Sequence, residues 1–423
     1  MNTIQTAPLL TGEFHKNRNA FVVQGEPLIF HCHHYNTFLQ LSIEETKHYL
    51  DVYPILQDTA QEVAYAQFNK FFKSNSELSV IERKEVVSKA FSEFGFGAMG
   101  LDYLSAQGGT VVLPTEHYSA TWMLKYGPRT GYDCGAALFA TGFVAGATEA
   151  IFDLPLGSLE TRQIECPTKG HSQCTIVASP SIKPRTLEAS PAEGMYQTFD
   201  ALPQPQDTGI RYEAIQEALT EMPIVGGKDG LIQAFGVTLT RHYANYYTQI
   251  SYRLLKAMQA KFGADGVHIV KDLLVEAGHV CAFNTFGGIM ESAEWNALIQ
   301  PMIDSREDWV HGIVACVNAL GWGQWEVKEL VPYQKLVVEV KSGYEANSYQ
   351  QSFGQSDYPV SYLVTGGVAG IMNLIYNGDI TETPELNEAY YDQIFKSPNK
   401  FSAKQTKCRA MGDSVDRFEA TKQ

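Results

Sequence analysis

The chain is short of basic residues, with 32 Lys and Arg against 47 Asp and Glu in 423 residues, a formal net charge of −15. Nucleic acid and anionic lipid surfaces are held by clustered positive charge, so neither is expected as a partner. Cysteine is sparse too, seven in all. An odd, small number in a chain of this length suits the reduced thiols of a cytoplasmic protein better than a disulfide framework. The N-terminus (MNTIQTAPLLTGEFHKNRNA) lacks the basic start and apolar core of a secretory signal. A long apolar run is missing as well. The weakly charged stretch from Gly131 to Phe152 holds Gly131, Gly135, Gly142 and Gly146 together with Asp133 and Glu149, so no membrane span is expected. Equally absent are a Gly-x-Ser-x-Gly elbow, a Gly-x4-Gly-Lys-Ser/Thr loop and a His-Glu-x-x-His helix, which removes the usual support for hydrolase, nucleotide and zinc-protease readings.

What is present is the composition of a compact globular chain, 44% hydrophobic and 19% charged. The length holds two to three domains at about 150 residues each. The sequence also repeats itself at anchors in the same order. His31-Cys-His-His-Tyr-Asn-Thr-Phe38 lines up with His279-Val-Cys-Ala-Phe-Asn-Thr-Phe286, and Ala98-Met-Gly100 with Ala319-Leu-Gly321. A run ending in His117-Tyr-Ser-Ala120 answers one ending in Gly343-Tyr-Glu-Ala346. Thr141-Gly-Phe-Val-Ala-Gly146 matches Thr365-Gly-Gly-Val-Ala-Gly370, and Gln163-x-x-Cys166-x3-Gly170 matches Gln405-x-x-Cys408-x3-Gly412. The spacing between copies varies, so insertions separate them.

These anchors divide the chain into a first domain over 1–180, a proline-rich exposed connector over 181–208, and a second domain over 209–423 with an extra leading helical segment. In that segment Tyr243, Tyr246, Tyr247, Ile250 and Leu254 recur at helical spacing, a stripe that reads first as core. Each copy places the His motif on a helical section, then short β-branched runs (Thr110 to Pro114; Lys335 to Val340), a Gly-rich helix and a terminal strand. An α+β fold follows. In the helix expected from Phe139 to Phe152, Gly142 and Gly146 share one face, as do Gly366 and Gly370. Glycine costs about 1 kcal/mol against alanine inside a helix, so close approach by another helix, or by a flat ligand, must offset it.

Gly142-Phe-Val-Ala-Gly146 followed by Glu160-Thr-Arg-Gln-Ile-Glu-Cys166-Pro-Thr-Lys-Gly170-His-Ser-Gln-Cys174 resembles the 4-vinyl-reductase domain. The C-terminal stretch with Cys408, Gly412 and Arg417-Phe418 resembles the same ending. That family includes proteins linked to bacteriochlorophyll synthesis and the sensor domains of phenol-responsive activators. The resemblance implies two similar α+β domains paired as an internal pseudo-dimer, each with an enclosed, largely apolar pocket. In the phenol sensors it also implies a structural zinc held by an early Cys, a Glu and two later Cys. Here the early position falls on Ala137 and Ser361, with Cys134 one helical turn away. The Glu position falls on Gln163 and Gln405, and the last pair on Cys166 with Cys174 and on Cys408 with Asp416. Zinc wants four ligands, and neither copy supplies them without a shift that brings in Cys134 with Glu165 or His171.

The sharpest candidate for chemistry is His31-Cys-His-His-Tyr35. On a helix from Leu28 to Glu45, His31, His34 or Tyr35, and Phe38 share a face. His31, His33 and His34 with a nearby carboxylate suit an iron or zinc site in the first domain. His31 and His279, with Asn36 and Asn284, are the polar groups common to both copies, suited to orienting a ligand or to satisfying buried backbone. His117 and His242, each followed by Tyr, are weaker candidates. The expected function is binding of a small hydrophobic or aromatic molecule, lined by His31, Tyr35, Asn36, Tyr118, Trp122, Gly142, Gly146, His279, Asn284, Trp322 and Tyr344. Two alternatives stand beside it: a metal-dependent enzyme using the His31–His34 cluster with Cys134, Cys166 and Cys174 as further ligands, and, from the family analogy alone, an assembly factor for tetrapyrrole or photosynthetic proteins. Pairing of such domains also raises a homo-oligomer.

Overall fold

A computed structural model of the chain describes residues 10–190 and 198–422. The N-terminal reading over residues 1–9 and part of the connector, Pro191 included, lie outside the described residues. The first elements are strands β1 (Glu13–His15), β2 (Ala20–Val23) and β3 (Glu26–Cys32) and helices α1 (His33–Glu44), α2 (Tyr53–Ser74) and α3 (Val80–Glu93). Strands β4 (Gly97–Gly100), β5 (Leu104–Ser105) and β6 (Gly108–Glu116) come next. Helices α4 (His117–Tyr126) and α5 (Leu138–Ile151) and strands β7 (Leu159–Glu165) and β8 (Cys174–Pro180) complete this section. Beyond the connector lie α6 (Tyr212–Glu221), β9 (Ile232–Ala234), β10 (Val237–Tyr243) and the long α7 (Ala244–Cys281). Short α8 (Gly287–Glu291) and α9 (Ala293–Leu298) lead through α10 (Arg306–Ala319) to β11 (Gln324–Val331) and β12 (Lys335–Lys341). The chain ends with α11 (Tyr344–Phe353), α12 (Tyr362–Met372), α13 (Glu388–Phe395), β13 (Phe401–Lys407) and β14 (Asp416–Lys422).

The fold is α+β, with three antiparallel sheets among the described residues. Two of them share one order. One runs β4-β6-β8-β7 with β5 paired to β6, and the other β11-β12-β14-β13. The expected strands lie within β6 and β12, where β-branched residues are concentrated. The Gly-rich helices α5 and α12 are fully buried. Both α3 and α10 start with a capping box, Ser79 with Glu82 and Ser305 with Asp308. From α3, Arg83 donates to Ile151 O at 3.1 Å and Asp153 at 2.8 Å; from α10, Arg306 donates to Ile375 O at 3.1 Å and Asp379 at 2.8 Å.

The third sheet, β1-β2-β3-β10-β9, joins the early and late parts of the chain. In it β3 and β10 run antiparallel, with His31 opposite Thr240 and Phe30 opposite Arg241. The helical tyrosine stripe expected after the connector is found in α7 at Tyr246, Tyr247, Ile250 and Leu254, all buried, whereas Tyr243 ends β10. A break at Gly263, with φ of 62°, divides α7. The run Ala244–Glu291 is long and apolar enough by composition to cross a membrane, and 72% of its most apolar window is buried inside the fold.

Glu26, at the start of β3, has no surface in solvent. Burial pushes its carboxyl up to about 8 despite a 3.1 Å hydrogen bond from Asn245. A carboxyl whose folded pKa exceeds its unfolded value gives stability that is full below the unfolded pKa and is lost as pH rises through the folded one. The melting temperature is therefore expected to fall between about pH 5 and 8. Glu26→Gln should flatten that fall in part, and Glu345, raised likewise to about 8, with Glu116 and Asp416, raised to about 7, maintains the remainder. Melting curves across this range check it; an unchanged slope in the Gln variant would show that Glu26 ionises freely.

Candidate functional site

Strand β3 sets the site, and this corrects the expectation of a helix from Leu28. The turn at Gln24 and Gly25, with φ of 53° and 84°, folds β3 back on β2, and pairing with β10 holds it extended through Cys32. The helix begins only at His33. His31 is consequently a strand residue facing inward, wholly buried, while Tyr35 rises over it from the first turn of α1 with ring centroids 4.4 Å apart.

Around His31 stand Trp322 (centroids 4.6 Å), Tyr247 (4.9 Å) and Tyr344, whose hydroxyl lies 3.3 Å from His31 Nε2. A matching contact sits across the central strand pair: His242, from β10, has Nε2 3.1 Å from the hydroxyl of Tyr118. Between them Asn36 ties the two together. Its amide donates to Thr240 Oγ1 at 2.9 Å and lies 3.1 Å from His117 Nε2, and its carbonyl accepts from Tyr247 at 2.5 Å. Burial holds His31 and His242 well below the ordinary imidazole pKa and His117 at about 3, so these rings stay neutral at pH 7.

Of the residues singled out from sequence, His31, Tyr35, Asn36, Trp322 and Tyr344 are brought into this network, and Tyr118 joins through His242. Trp122 is not part of it; its ring packs against Tyr126 and lies under the Arg129 guanidinium. Gly142 and Gly146 press against α2, where an added Cβ would lie 2.0 Å from Gln57 O and 2.1 Å from Gln61 O. His279 turns to Glu276 at 3.1 Å and to the ring of Phe395. Asn284 donates to Val280 O at 2.8 Å. The residue placed opposite His31 by geometry is thus His242, not His279. His242 was only a weaker candidate in the sequence, and its place beside β3 comes from the pairing of β10 with that strand.

The largely apolar enclosed pocket implied by the resemblance is not seen at this core. Phe96, Phe139, Phe143 and Tyr246 fill the space beside His242. What remains open is a polar hollow of about 10 Å³ between α7, α11 and α12, room for one water. Tyr35, Tyr247, Tyr252, Tyr344 and Tyr362 line it with Thr248, Ser251 and Glu345. Glu345 accepts from the N–H groups of Leu363 and Val364 at the start of α12, at 3.1 and 3.0 Å, while burial raises its pKa to about 8. Thr248 Oγ1 and Tyr362 OH are buried and have no hydrogen-bond partner among the described residues.

The proposed metal ligands do not converge. His33 Nδ1 accepts from the N–H of Thr238, and its ring lies against His34 with centroids 3.9 Å apart. Cys134 is hydrogen-bonded to Tyr53. Cys166 and Cys174 do meet, Sγ to Sγ 3.7 Å, with Ser119 Oγ 3.1 Å from each and Thr168 Oγ1 3.0 Å from Cys166. These hydrogen bonds pull the Cys166 thiol below its ordinary pKa. Gln163, at the family's Glu position, donates its amide to Cys174 Sγ at 3.3 Å, and Gln405 donates to Asp416 at 2.9 Å. A donor thus points where a metal would need an acceptor. Gly135 closes the remaining side, since a Cβ there would lie 2.5 Å from Cys166 Sγ. No group of three His, Cys, Asp or Glu suited to a metal occurs among the described residues. The donor set does not fit the four-ligand zinc of the phenol sensors.

No family model and no curated protein matches the chain. Among solved structures it is similar to the phenol-responsive sensory domain of the transcription activator PoxR with phenol, at TM-score 0.33 and 11% identity over 46% of this chain and 82% of that one. It is also similar to trafficking protein particle complex subunit 3 from Naegleria fowleri, covalently bound to palmitic acid, at TM-score 0.24 and 19% identity over 36% of this chain and 95% of that one.

Proposed function

We propose that the chain binds a small molecule with hydrogen-bonding groups on an aromatic or apolar body, at the hollow between α7, α11 and α12. One observation carries the reading: two residues that line the same hollow, Thr248 and Tyr362, each carry a buried side-chain oxygen with no hydrogen-bond partner among the described residues. A buried polar atom left unpaired costs about 1–3 kcal/mol, and a bound group that pairs with it recovers that cost. The tyrosine rings supply flat apolar walls, and a guest larger than water requires them to move outward. Two similar units, 1–180 and 209–423, joined by the connector 181–208 as an internal pseudo-dimer, accompany this reading. Its support is the common strand order, the Arg83–Asp153 and Arg306–Asp379 pairs, and the reciprocal His31–Tyr344 and His242–Tyr118 contacts.

Thermal-shift titration of the purified chain with a panel of phenols, aromatic alcohols and aromatic amides tests it. At least one compound is expected to raise the melting temperature, with affinity weakened about 5- to 30-fold in Tyr362→Phe, the equivalent of 1–2 kcal/mol. A panel without effect on protein shown to be folded, or binding unchanged in both Tyr362→Phe and Thr248→Val, would overturn the assignment.

A further inference from the structure

Cys166 directly follows β7 and Cys174 begins β8, the positions that would continue the Glu165–Thr175 pairing by one step. Their sulfurs are 3.7 Å apart and share Ser119 as a hydrogen-bond partner. A disulfide needs about 2 Å between sulfurs, a closure within reach of side-chain rotation because both residues flank one turn. That turn, residues 167–173, exposes Lys169, Gly170, His171 and Ser172, so the thiols lie one layer beneath solvent. The other neighbouring thiols, Cys32 and Cys281, are buried against β10 and the end of α7 with no such surface turn over them.

We propose that Cys166 and Cys174 are a modification site, a dithiol that hydrogen peroxide or an organic hydroperoxide converts to a disulfide. One sulfur attacks a peroxide oxygen, the O–O bond breaks, and water or alcohol leaves, giving a sulfenic acid. The second sulfur then displaces that hydroxyl as water and the S–S bond forms. Two thiols are oxidised by one peroxide, and the two thiol protons leave in the products. Ser119 loses both thiol partners on closure. It is the third residue of α4, next to Tyr118, so the bond acts on the helix that reaches His242.

The test is intact-mass and peptide mapping of the full chain after hydrogen peroxide treatment, with free thiols blocked. A loss of about 2 Da reversed by dithiothreitol, mapped to a peptide linking Cys166 to Cys174 and absent in Cys166→Ser and Cys174→Ser but kept in Cys281→Ser, is the expected result. Mapping of the unsubstituted chain decides the matter if a variant fails to fold. Both thiols remaining alkylatable under peroxide that oxidises a free reference thiol would overturn the proposal. So would a bond mapped to Cys32 and Cys281, oxidation of Cys166 to a sulfinic acid with Cys174 free, or protection of the pair by co-purified zinc.

Discussion

Replacing Arg129 by alanine is expected to remove about 3–5 kcal/mol of stability, because it strands a buried carboxylate. Arg129 forms two hydrogen bonds with Glu44, at 3.1 and 2.6 Å, and neither side chain has surface in solvent. The guanidinium is also clasped between Trp122 and Tyr132, 4.2 and 4.0 Å from the ring centroids. Truncation leaves the Glu44 carboxylate, among the described residues, with the amide of Gln40 at 3.2 Å. Removing both charges together, Glu44→Met with Arg129→Met, should restore most of the loss, since the desolvation of the ions disappears with the pair. Urea unfolding of the three proteins measures this. A loss under about 1 kcal/mol for Arg129→Ala would place the pair in the class of exposed bridges.

The second large effect is at the Gly-rich helices, where neighbouring glycines should differ in sign. Gly142→Ala places a Cβ 2.0 Å from Gln57 O, and Gly366→Ala places one 2.3 Å from Val275 O. Backbone cannot yield as a flexible side chain does, so each should cost about 3 kcal/mol or more. Gly367, one residue along α12, meets nothing nearer than the Phe286 ring at 3.6 Å, an ordinary contact. There the alanine should gain up to about 1 kcal/mol of helix propensity. Chemical unfolding of the Gly366 and Gly367 variants side by side gives the comparison. Equal losses at both would mean that α7 and α12 are not held at this separation.

The Gly-x-x-x-Gly spacing therefore had the meaning it carried in the sequence: a helix packed so closely that a methyl group does not fit. In α5 the partner is α2, and in α12 it is the second part of α7. The ligand alternative for those glycines has no support, because backbone already fills the place. The thiol pair was legible as well, since Cys166 and Cys174 flank a turn, and two strands leaving one turn must bring their ends together. That the pair stands without Cys134 was not legible. Cys134 lies in an irregular segment whose course is decided by the Arg129–Glu44 bridge and by Tyr53.

What the sequence alone determined was local. Short β-branched runs marked β6 and β12, tyrosines at helical spacing marked α7, and glycine spacing marked the buried helices; each is set by neighbours within a few residues. Tertiary structure alone decided that His31 lies on a strand, that its partners are Tyr344 and Trp322, and that His242 is its counterpart. Residue 31 is extended because β10 pairs with β3 from more than two hundred residues away, and no pattern near His31 encodes that partner. The same long-range packing chose which interior closed and which kept a gap. Phenylalanines fill the space beside His242, while tyrosines, a threonine and a glutamate border the hollow near His31, because hydroxyl and carboxyl groups cannot close on one another without pairing.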